Sequence, residues 1–217
     1  MKALIVAGGL GTRLGNRTKT IPKPLITIAG KPILEYLIEL LKHYRITDIT
    51  ILTNHLGHKI HDSLGSGERW GVDVSYFEEA VRLGTAGGVR KLASAFTEDF
   101  LVLYGDVLLN MDLGRMIRAH RQHRVMDKRC IGTIMTQPQD HPVDSDLVGV
   151  GPGNRVTRFY SKPHPEHWLY RNISNIAVYL FSPDICRYIP DNQASDFGHD
   201  VLPAVLKAGR HTLYAYH

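Results

Sequence analysis

The stretch Ala3–Leu25, ALIVAGGLGTRLGNRTKTIPKPL, begins with an apolar run and passes at once into glycine and positive charge. The run Ala3–Ala7 contains no polar residue, which is typical of a strand covered on both faces in a parallel sheet. Behind it, Gly8, Gly9 and Gly11 let backbone N–H groups approach a ligand without obstruction by Cβ atoms. Such loops bind phosphates because several N–H groups converge on one anion. The stretch therefore predicts a buried strand followed by an anion-binding turn.

Two common phosphate-binding patterns do not fit this turn. A Walker loop requires GxxxxGK[ST], and the sequence contains no such string. The dinucleotide pattern GxGxxG starts at Gly9 and Gly11 but meets Leu14 at its third glycine position. An ordinary strand-to-helix turn with glycine caps therefore stays an alternative for this segment taken alone.

Two cations follow the glycines. Arg13 comes two residues after Gly11, and Lys23 lies between Pro22 and Pro24. Prolines on both sides restrict the local backbone, so the lysine is directed rather than freely placed. We interpret Lys23 as a group that contacts a reacting phosphate.

The composition is that of a globular protein with a mild excess of positive charge. The chain has 217 residues, a net charge of +5 and a pI near 9.2. This charge suits an anionic small molecule, and we expect neither a nucleic acid nor a membrane partner. Cys130 and Cys186 lie far apart in apolar surroundings, so we expect two buried thiols in a reducing cytoplasm. The apolar core of the N-terminus is too short for a signal peptide, which also favours a cytoplasmic protein.

The first half alternates between strands and helices. This β-α-β-α-β-α-β order predicts a mainly parallel sheet with helices on both faces. The apolar stripe of the first helix, which should begin at Pro32, is Ile33, Leu37, Leu40, Leu41 and Tyr44. The other predicted elements are strands at Asp48–Thr53, Val72–Phe77 and DFLVLYGD (99–106), and helices over 57–64 and from Thr85.

The second half carries one more helix and then a series of strands. The helix follows Asp112, and strand-like runs lie at 130–136, 147–150, 155–160 and 173–181. Pro-rich and charged segments separate them, so this half is expected to be an antiparallel or mixed addition to the same sheet. The fold class is therefore α/β, with a doubly wound, mixed but mainly parallel sheet.

Several of these motifs together resemble one enzyme family. GGLGTRL followed by PKPL resembles the signature of the sugar-1-phosphate nucleotidyltransferases, also called nucleoside-diphosphate-sugar pyrophosphorylases. Further stretches resemble the same family in the same order, and LGTAGG is closest to its mannose- and heptose-1-phosphate guanylyltransferase branches. These stretches are EAVRLGTAGG (79–88), LYGDVL (103–108), FYSKP (159–163), SNIAVYLF (174–181) and FGHDVLP (197–203).

The resemblance implies a fold and a domain division. The expected fold is a Rossmann-like nucleotidyltransferase domain over residues 1–217, with a nucleotide-binding half at 1–112 and an antiparallel sugar-binding half at 113–217. The family usually continues to a W-x-D-x-G-T segment, whose aspartate is a second metal ligand, whereas this sequence stops at LYAYH. We therefore expect that the chain is cut short, that it is a catalytic domain from a longer polypeptide, or that the second ligand comes from elsewhere. A homo-oligomer or a fusion to a further domain is a separate expectation.

The resemblance also assigns roles to individual residues. The nucleotide would contact Gly8, Gly9, Leu10, Gly11, Thr12, Glu79, Gly84 and Thr85. The catalytic residues would be Arg13, Lys23 and Asp106, with Mg²⁺ on Asp106 and also on Asp200. The sugar phosphate would contact Lys162 and Asn175.

Each of the later assignments has a structural alternative. Asp106 also fits a turn residue after a strand, and Lys162 fits a surface lysine. Asn175 also fits a polar residue that fills space in a strand, and Asp200 fits a helix-terminus residue.

Two residues depart from the family pattern, and both lie in the sugar site. Ser161 replaces an acid before KP, and Ala177 replaces the glycine of the NAG motif. The spacing of His55, His58 and His61 places them along one helix, where we interpret them as a polar face rather than as metal ligands.

The implied function is transfer of a nucleotidyl group from a nucleoside triphosphate to a sugar 1-phosphate with release of pyrophosphate. GTP and a mannose or D-manno-heptose 1-phosphate are the favoured substrates. One alternative is a UTP-, dTTP- or CTP-using sugar- or choline-phosphate nucleotidyltransferase. Another is a non-catalytic relative that binds a nucleotide sugar and regulates a partner.

Overall fold

The computed structural model describes residues 1–11, 15, 18–165 and 172–217. It forms two compact units, each with its own core. The first unit comprises Met1–Arg82 and Asp99–Leu113, and the second comprises Leu83–Glu98 and Gly114–His217. The helix expected near Thr85 belongs to the second unit, whereas the domain division expected at residue 112 stays a prediction.

The elements alternate as the sequence predicts, and most bounds agree within one or two residues. The strands are β1 (Ala3–Val6), β2 (Thr27–Ile28), β3 (Lys31–Pro32), β4 (Asp48–Thr53), β5 (Asp73–Glu78), β6 (Phe100–Tyr104), β7 (Cys130–Pro138), β8 (Leu147–Val150), β9 (Val156–Tyr160), β10 (Ile173–Phe181) and β11 (Thr212–Tyr216). The helices are α1 (Ile33–His43), α2 (Gly57–Leu64), α3 (Gly84–Lys91), α4 (Leu113–Met126) and α5 (Leu202–Ala208). The predicted α/β class is confirmed.

The sheet of the first unit is parallel throughout, in the order β6-β1-β4-β5. Ala3 of β1 is aligned with Ile49 of β4 on one side and with Leu101 of β6 on the other. Ala3, Leu4 and Ile5 have no exposed surface. Because β1 itself is buried, polar residues near it must come from the segment that follows the strand. That segment begins at the carboxyl edge of the sheet.

Helix α1 begins one residue later than expected. Pro32 adopts an extended conformation (φ −55°, ψ 141°) because it pairs with Thr27 in the β2–β3 hairpin. The helix also buries Leu34 and Ile38 beside Leu37 and Leu41, so its apolar face is wider than the predicted stripe.

The second unit is built around β7. Strand β10 pairs with β7 antiparallel, and β11 pairs with β7 in parallel on the other side. Strand β8 pairs with β10 and β9, both antiparallel. The antiparallel strands were predicted, and a helix beginning near Asp200 was one of the alternatives, whereas β11 was not predicted.

The core of the second unit is aromatic and also holds both cysteines. The rings of Tyr179, Phe181 and Phe197 pack on one another with centroids 5.2–5.3 Å apart. Cys130 and Cys186 are free, buried thiols, as expected. Burial raises the pKa of Cys186 to about 11, so this thiol stays protonated near neutral pH.

A polar cluster joins α4 to β7 and β11. His120 and His123 both direct Nδ1 at the hydroxyl of Thr133, at 2.9 and 3.4 Å. The His123 ring also stacks on Tyr214 with centroids 4.2 Å apart. The Asp127 carboxylate accepts hydrogen bonds from the hydroxyls of Thr212 (2.8 Å) and Tyr214 (3.2 Å).

The cluster shifts two pKa values downward. Burial lowers the pKa of His123, and the neighbouring His120 lowers it further. Burial alone would raise the pKa of Asp127, but hydrogen bonds from Arg129 N–H, Thr212 and Tyr214 outweigh it and lower the pKa of that carboxyl.

We expect the cluster to make the protein less stable as the pH falls. The unfolded chain protonates His123 near its ordinary value of 6.5, above the folded value, so stability declines as the pH falls through that range. Asp127 adds a second decline below its ordinary value of 3.8. Urea unfolding between pH 7.5 and 5 should show a flatter pH dependence for His123→Phe, which keeps an aromatic ring against Tyr214. His58→Gln on exposed α2 is the control, and equal slopes for wild type and His123→Phe would contradict the prediction.

Candidate active site

The glycine turn leaves β1 at the carboxyl edge of the parallel sheet. Gly8 passes close to the neighbouring strands: a Cβ there would lie 3.3 Å from Cβ of Asn54 and 3.5 Å from Oε2 of Glu79. Gly11 has φ +63°, and a Cβ there would lie 2.7 Å from Cγ2 of Thr18. The Thr18 hydroxyl donates to the carbonyl of Gly11 at 3.1 Å, which holds the end of the turn. Glycine is therefore required at position 8 by the closeness of Asn54 and at position 11 by the closeness of Thr18 and the positive φ.

Three predicted residues of this segment have different outcomes. Thr12 and Arg13 lie outside the described residues. Leu10 is described and partly exposed, next to the exposed Gly9.

Lys23 and Asp106 meet although they are far apart in the sequence. Lys23 starts a short 3₁₀ turn, Lys23–Leu25, that follows the extended Pro22. Its Nζ donates to Oδ2 of Asp106 at 2.5 Å, and the two side chains are 37% and 33% exposed. The pair is therefore open to solvent and to a ligand, and it joins the proline-flanked turn to the segment that follows β6.

This pair lies where parallel α/β sheets bind ligands. The chain leaves β1 toward β4, then continues to β5, and returns to the opposite side of β1 for β6. Ligands of such sheets bind in the crevice outside the carboxyl ends of the two strands at which the order reverses. Those strands are β1, which precedes the glycine turn, and β6, which precedes Asp106.

Asn54 is a residue of this edge that the sequence analysis missed. It follows β4 directly, and its Nδ2 donates to the main-chain carbonyl of Glu79 at 2.6 Å. Glu79 is 7% exposed and follows β5, and its N–H donates to the carbonyl of Thr53 at 2.9 Å. An asparagine immediately after the buried run DITILT was the available signal.

In the second unit, the start of α3 is bound to the segment Ser195–Phe197. Gly84 has φ +76°, and a Cβ there would lie 2.4 Å from the carbonyl oxygen of Ser195. The Thr85 hydroxyl donates to Oδ2 of Asp196 at 2.7 Å and accepts a hydrogen bond from Phe197 N–H at 3.0 Å. Both residues were predicted to contact the nucleotide, and in this structure the Thr85 side chain already has protein partners.

Lys162 and Asn175 lie near the residues around Asp146. Nζ of Lys162 donates to the carbonyl of Asp144 at 3.0 Å, and its N–H donates to Oδ1 of Asp146 at 3.2 Å. Asn175 N–H donates to the carbonyl of Asp146 at 2.9 Å. The two predicted sugar-phosphate residues are therefore both anchored to one short segment of chain.

Asn175 opens an irregular stretch of β10. The register with β7 shifts between Asn175 and Tyr179, and Ala177 inside this bulge has φ +59°. Asn175 stabilises the bulge, since its Oδ1 accepts from Ala177 N–H at 3.3 Å and its Nδ2 donates to the Tyr179 hydroxyl at 2.8 Å. A left-handed alanine in this position explains why glycine suits the same place in the resembling motif.

Asp200 takes part in a helix start. Its Oδ2 accepts a hydrogen bond from Asp196 N–H at 2.7 Å, while Oδ1 of Asp196 accepts from Gly198 N–H at 2.9 Å and from His199 N–H at 3.3 Å. This reciprocal arrangement resembles a capping box. It precedes the π-helical turn Phe197–Val201 that leads into α5.

A family model described as a nucleotidyl transferase matches residues 2–217 of the chain. The chain belongs to this nucleotidyl transferase family. The resemblance found in the sequence is thereby confirmed, since its motifs run from the glycine turn to the segment before α5.

Curated members of the family differ in nucleotide and sugar. The chain is 35% identical to a UTP–glucose-1-phosphate uridylyltransferase of Synechocystis sp., over 96% of this chain and 56% of that protein. It is 32% identical to the mannose-1-phosphate guanylyltransferase catalytic subunit beta of Danio rerio, over 99% of this chain and 58% of that protein. The chain thus spans little more than half the length of these relatives.

Solved structures share the fold over the whole chain. HddC from Yersinia pseudotuberculosis superposes with a TM-score of 0.80 at 25% identity, covering 99% of this chain and 89% of that one. A putative glucose-1-phosphate thymidylyltransferase from Bacillus anthracis superposes with a TM-score of 0.82 at 24% identity, covering 100% of this chain and 87% of that one.

Across the ranges that the structure describes, we find no helix with the length and apolar character of a membrane span.

The family implies a divalent metal, and Asp106 suits one. Within the described part of the chain, no group of three or more His, Cys, Asp or Glu side chains is arranged around a common point for a metal ion. Mg²⁺ does not require such a cage, because it is commonly bound by one or two carboxylates together with substrate phosphates and water. The half-exposed carboxylate of Asp106, at the edge where phosphates are expected, fits this mode.

The glycine turn can be tested with two matched substitutions. We expect Gly11→Ala to lower the free energy of unfolding by about 1–2 kcal/mol, because an L-residue is strained at φ +63° and its Cβ would press on Thr18. Gly9→Ala meets no atom within 4 Å, so its stability should stay within about 0.5 kcal/mol of wild type. If Gly9 lies against a nucleotide, Gly9→Ala should nevertheless bind GTP and UTP more weakly in calorimetric titration. Wild-type affinity in that variant would remove Gly9 from the nucleotide contacts.

The bulge in β10 generates a prediction of the opposite sign. We expect Ala177→Gly to raise the free energy of unfolding by about 0.5–1 kcal/mol, because relief of left-handed strain exceeds the added freedom of the unfolded chain. Thermal and urea unfolding measure the change. Ala204→Gly in α5 is the control and should destabilise by about 1 kcal/mol. A destabilised Ala177→Gly variant would contradict the strain at this position.

Proposed function

We propose that this chain transfers a nucleotidyl group from a nucleoside triphosphate to a sugar 1-phosphate and releases pyrophosphate. The observation that carries the proposal is the Lys23–Asp106 pair at the carboxyl edge of β1 and β6, beside a glycine turn. Membership of the nucleotidyl transferase family supports the same chemistry. The names of the relatives support a sugar 1-phosphate as the acceptor.

The reaction needs positioning and charge neutralisation more than it needs a base. An oxygen of the sugar 1-phosphate attacks the α-phosphorus of the triphosphate, the bond from that phosphorus to the bridging oxygen breaks, and pyrophosphate leaves with the electron pair. The attacking oxygen is already anionic, so no proton has to be removed first. The protein therefore contributes mainly through groups that bind the phosphates in line and offset their charge.

The residues of the first unit would bind the triphosphate. Main-chain N–H groups of Leu10 and Gly11 would donate to phosphate oxygens, and Arg13 would stabilise the leaving pyrophosphate. Lys23 would offset charge on the α-phosphate, since its side chain is 37% exposed and, among the described residues, its ammonium group is paired with one carboxylate. Lys23 would then exchange its contact with Asp106 for a phosphate oxygen, which carries more negative charge.

Asp106 would hold Mg²⁺ together with phosphate oxygens. When bound, this ion supplies neutralisation of phosphate charge and orients the triphosphate. Asp106 would be the residue that holds the ion, and Lys23 the residue that contacts the α-phosphate. Asp200 is the less suitable ligand, because one of its oxygens already accepts from Asp196 N–H.

The residues of the second unit would bind the acceptor. Among the described residues, Nζ of Lys162 donates to one main-chain carbonyl, and its other N–H donors would bind a sugar phosphate. Both the oxygen and the nitrogen of the Asn175 side-chain amide already form hydrogen bonds within the bulge. Its role in sugar binding would therefore be to shape the bulge as much as to donate directly.

GTP and a mannose or D-manno-heptose 1-phosphate remain the substrates we favour. The LGTAGG segment and the mannose-1-phosphate guanylyltransferases among the relatives support them. UTP and glucose 1-phosphate are a second candidate pair, because a UTP–glucose-1-phosphate uridylyltransferase is 35% identical to this chain. Both candidates use the same phosphate chemistry and differ only in the base and sugar contacts.

The proposal is tested by pyrophosphate release. Purified protein with Mg²⁺ is incubated with GTP, UTP, CTP, ATP or dTTP, each combined with mannose, heptose or glucose 1-phosphate or with choline phosphate. We expect release with one sugar 1-phosphate pair, and a fall in kcat of about 10²–10³-fold for Lys23→Ala because charge on the α-phosphate is then not offset. Lys31→Ala, which removes an exposed lysine paired with Glu39 at 2.7 Å, is the matched control and should keep full activity.

Two outcomes would contradict the proposal. Release only with choline phosphate would replace the sugar as the acceptor. Nucleotide binding without turnover of any pair would favour a non-catalytic relative.

A further inference from the structure

A single carboxylate joins two helix starts in the second unit. Oδ1 of Asp196 accepts from the N–H groups of Gly198 and His199, at the start of the helical segment that leads into α5. Its Oδ2 accepts from the hydroxyl of Thr85 in the first turn of α3 at 2.7 Å. These two elements are separated by 111 residues in the sequence, so the contact is a tertiary link rather than a local cap.

The main chain strengthens this link on both sides. Ser195 N–H donates to the carbonyl of Leu83 at 2.8 Å, and Ala86 N–H donates to the carbonyl of Ser195 at 2.9 Å. Phe197 N–H donates to the Thr85 hydroxyl at 3.0 Å, and Phe197 is fully buried. The first turn of α3 is thus fixed by four hydrogen bonds from one short segment.

The Thr85 side chain has little capacity left for a nucleotide. A hydroxyl has one proton, and Asp196 accepts it, while one of its lone pairs is used by Phe197 N–H. Gly84, by contrast, is exposed and is held at φ +76° by the approach of Ser195. The surface that the start of α3 presents is therefore its glycine main chain, in a conformation that the linked segment imposes.

We propose that Asp196 is a positioning residue for nucleotide binding and acts through Thr85 on the Gly84 turn without touching the ligand. This inference rests on the proposed function and on the sequence resemblance, which predicts that Gly84 and Thr85 contact the nucleotide. Asp200 supports Asp196 from behind, since its Oδ2 accepts from Asp196 N–H. Asp196 and Asp200 together therefore hold the Gly84 turn in place through Thr85.

Asp196→Asn separates this role from simple helix capping. Asparagine is as good an N-cap as aspartate, so its Oδ1 retains the bonds from Gly198 and His199. The amide nitrogen that replaces Oδ2 cannot accept the Thr85 proton and can only donate to the remaining lone pair of that hydroxyl, so a bond to a charged acceptor is replaced by a weaker neutral one. Thr85→Val removes this hydrogen bond from the other side with nearly unchanged volume, and it also removes the acceptor of Phe197 N–H. Thr85→Ser keeps the hydroxyl and both hydrogen bonds.

The other end of α3 offers a matched control. Arg90 donates to Asp191 through Nε at 2.7 Å and through Nη2 at 3.0 Å. Asp191→Asn therefore weakens a charged hydrogen bond between α3 and the same stretch of chain without altering the Gly84 turn. Like Asp196→Asn, this variant weakens a hydrogen bond between α3 and a later segment of the chain. Its KM values therefore show how the loss of such a contact affects the kinetics when the Gly84 turn is intact.

The experiment measures the KM for the nucleoside triphosphate and the KM for the sugar 1-phosphate separately in each variant. The unfolding midpoint of each variant is measured in parallel. For Asp196→Asn and Thr85→Val we expect the KM for the nucleoside triphosphate to rise about tenfold, because a hydrogen bond to a charged acceptor is lost. The KM for the sugar 1-phosphate should change less than about twofold. Asp191→Asn should keep both values, and Thr85→Ser should restore the wild-type KM for the triphosphate. The double variant Asp196→Asn with Thr85→Val should be no worse than Thr85→Val alone, since that variant has already lost the bond between the two residues.

Each alternative result overturns a different statement. Lower unfolding midpoints with an unchanged KM for the triphosphate would reduce Asp196 to a structural cap and overturn the inference while the proposed function stands. An additive double variant would also overturn it, because the two residues would then act separately. Wild-type protein that bound neither GTP nor UTP in calorimetric titration would overturn both the inference and the proposed function.

Discussion

The burial of β1 between β4 and β6 is the constraint on which the candidate site depends. A fully apolar central strand has no polar group to offer, so every functional group near it must come from the segments that leave its carboxyl end. The parallel pairing places the end of β6 at the same edge, and with it Asp106. Lys23 reaches this carboxylate only because a proline-flanked turn brings the chain back to the edge.

Much of the first unit could be predicted from the sequence because the apolar pattern of each element indicates which of its residues are buried. The runs Ala3–Ala7 and Asp48–Thr53 are apolar or β-branched, and the first helix carries an apolar stripe. The start of α1 was wrong by one residue, since Pro32 is held extended by Thr27 in a hairpin that no local pattern indicates. Strand β11 was missed for a similar reason: Thr212–Tyr216 is short, and its burial depends on pairing with β7, about 80 residues earlier.

The candidate site shows the same division between local and long-range information. The glycine turn and Lys23 are evident from their motifs, whereas the contact between Lys23 and Asp106 spans 83 residues and is visible only in the fold. Thr85 illustrates the limit more sharply. Its position in a motif suggested a ligand contact, but the hydroxyl is used by Asp196 and Phe197, which a linear pattern does not reveal. The hydrogen-bond partners of the Thr85 hydroxyl thus depend on long-range packing, and its contact with a nucleotide stays a prediction.

The buried cysteines have a practical consequence for chemical labelling. Cys130 and Cys186 have 2% and 4% of their surface exposed, so a thiol-directed dye has almost no access to either. The raised pKa of Cys186 also keeps it out of the reactive thiolate form. A cysteine introduced at an exposed position such as Val81 would then be the reactive thiol of choice, and a fluorophore could be attached there without removing either native sulfur.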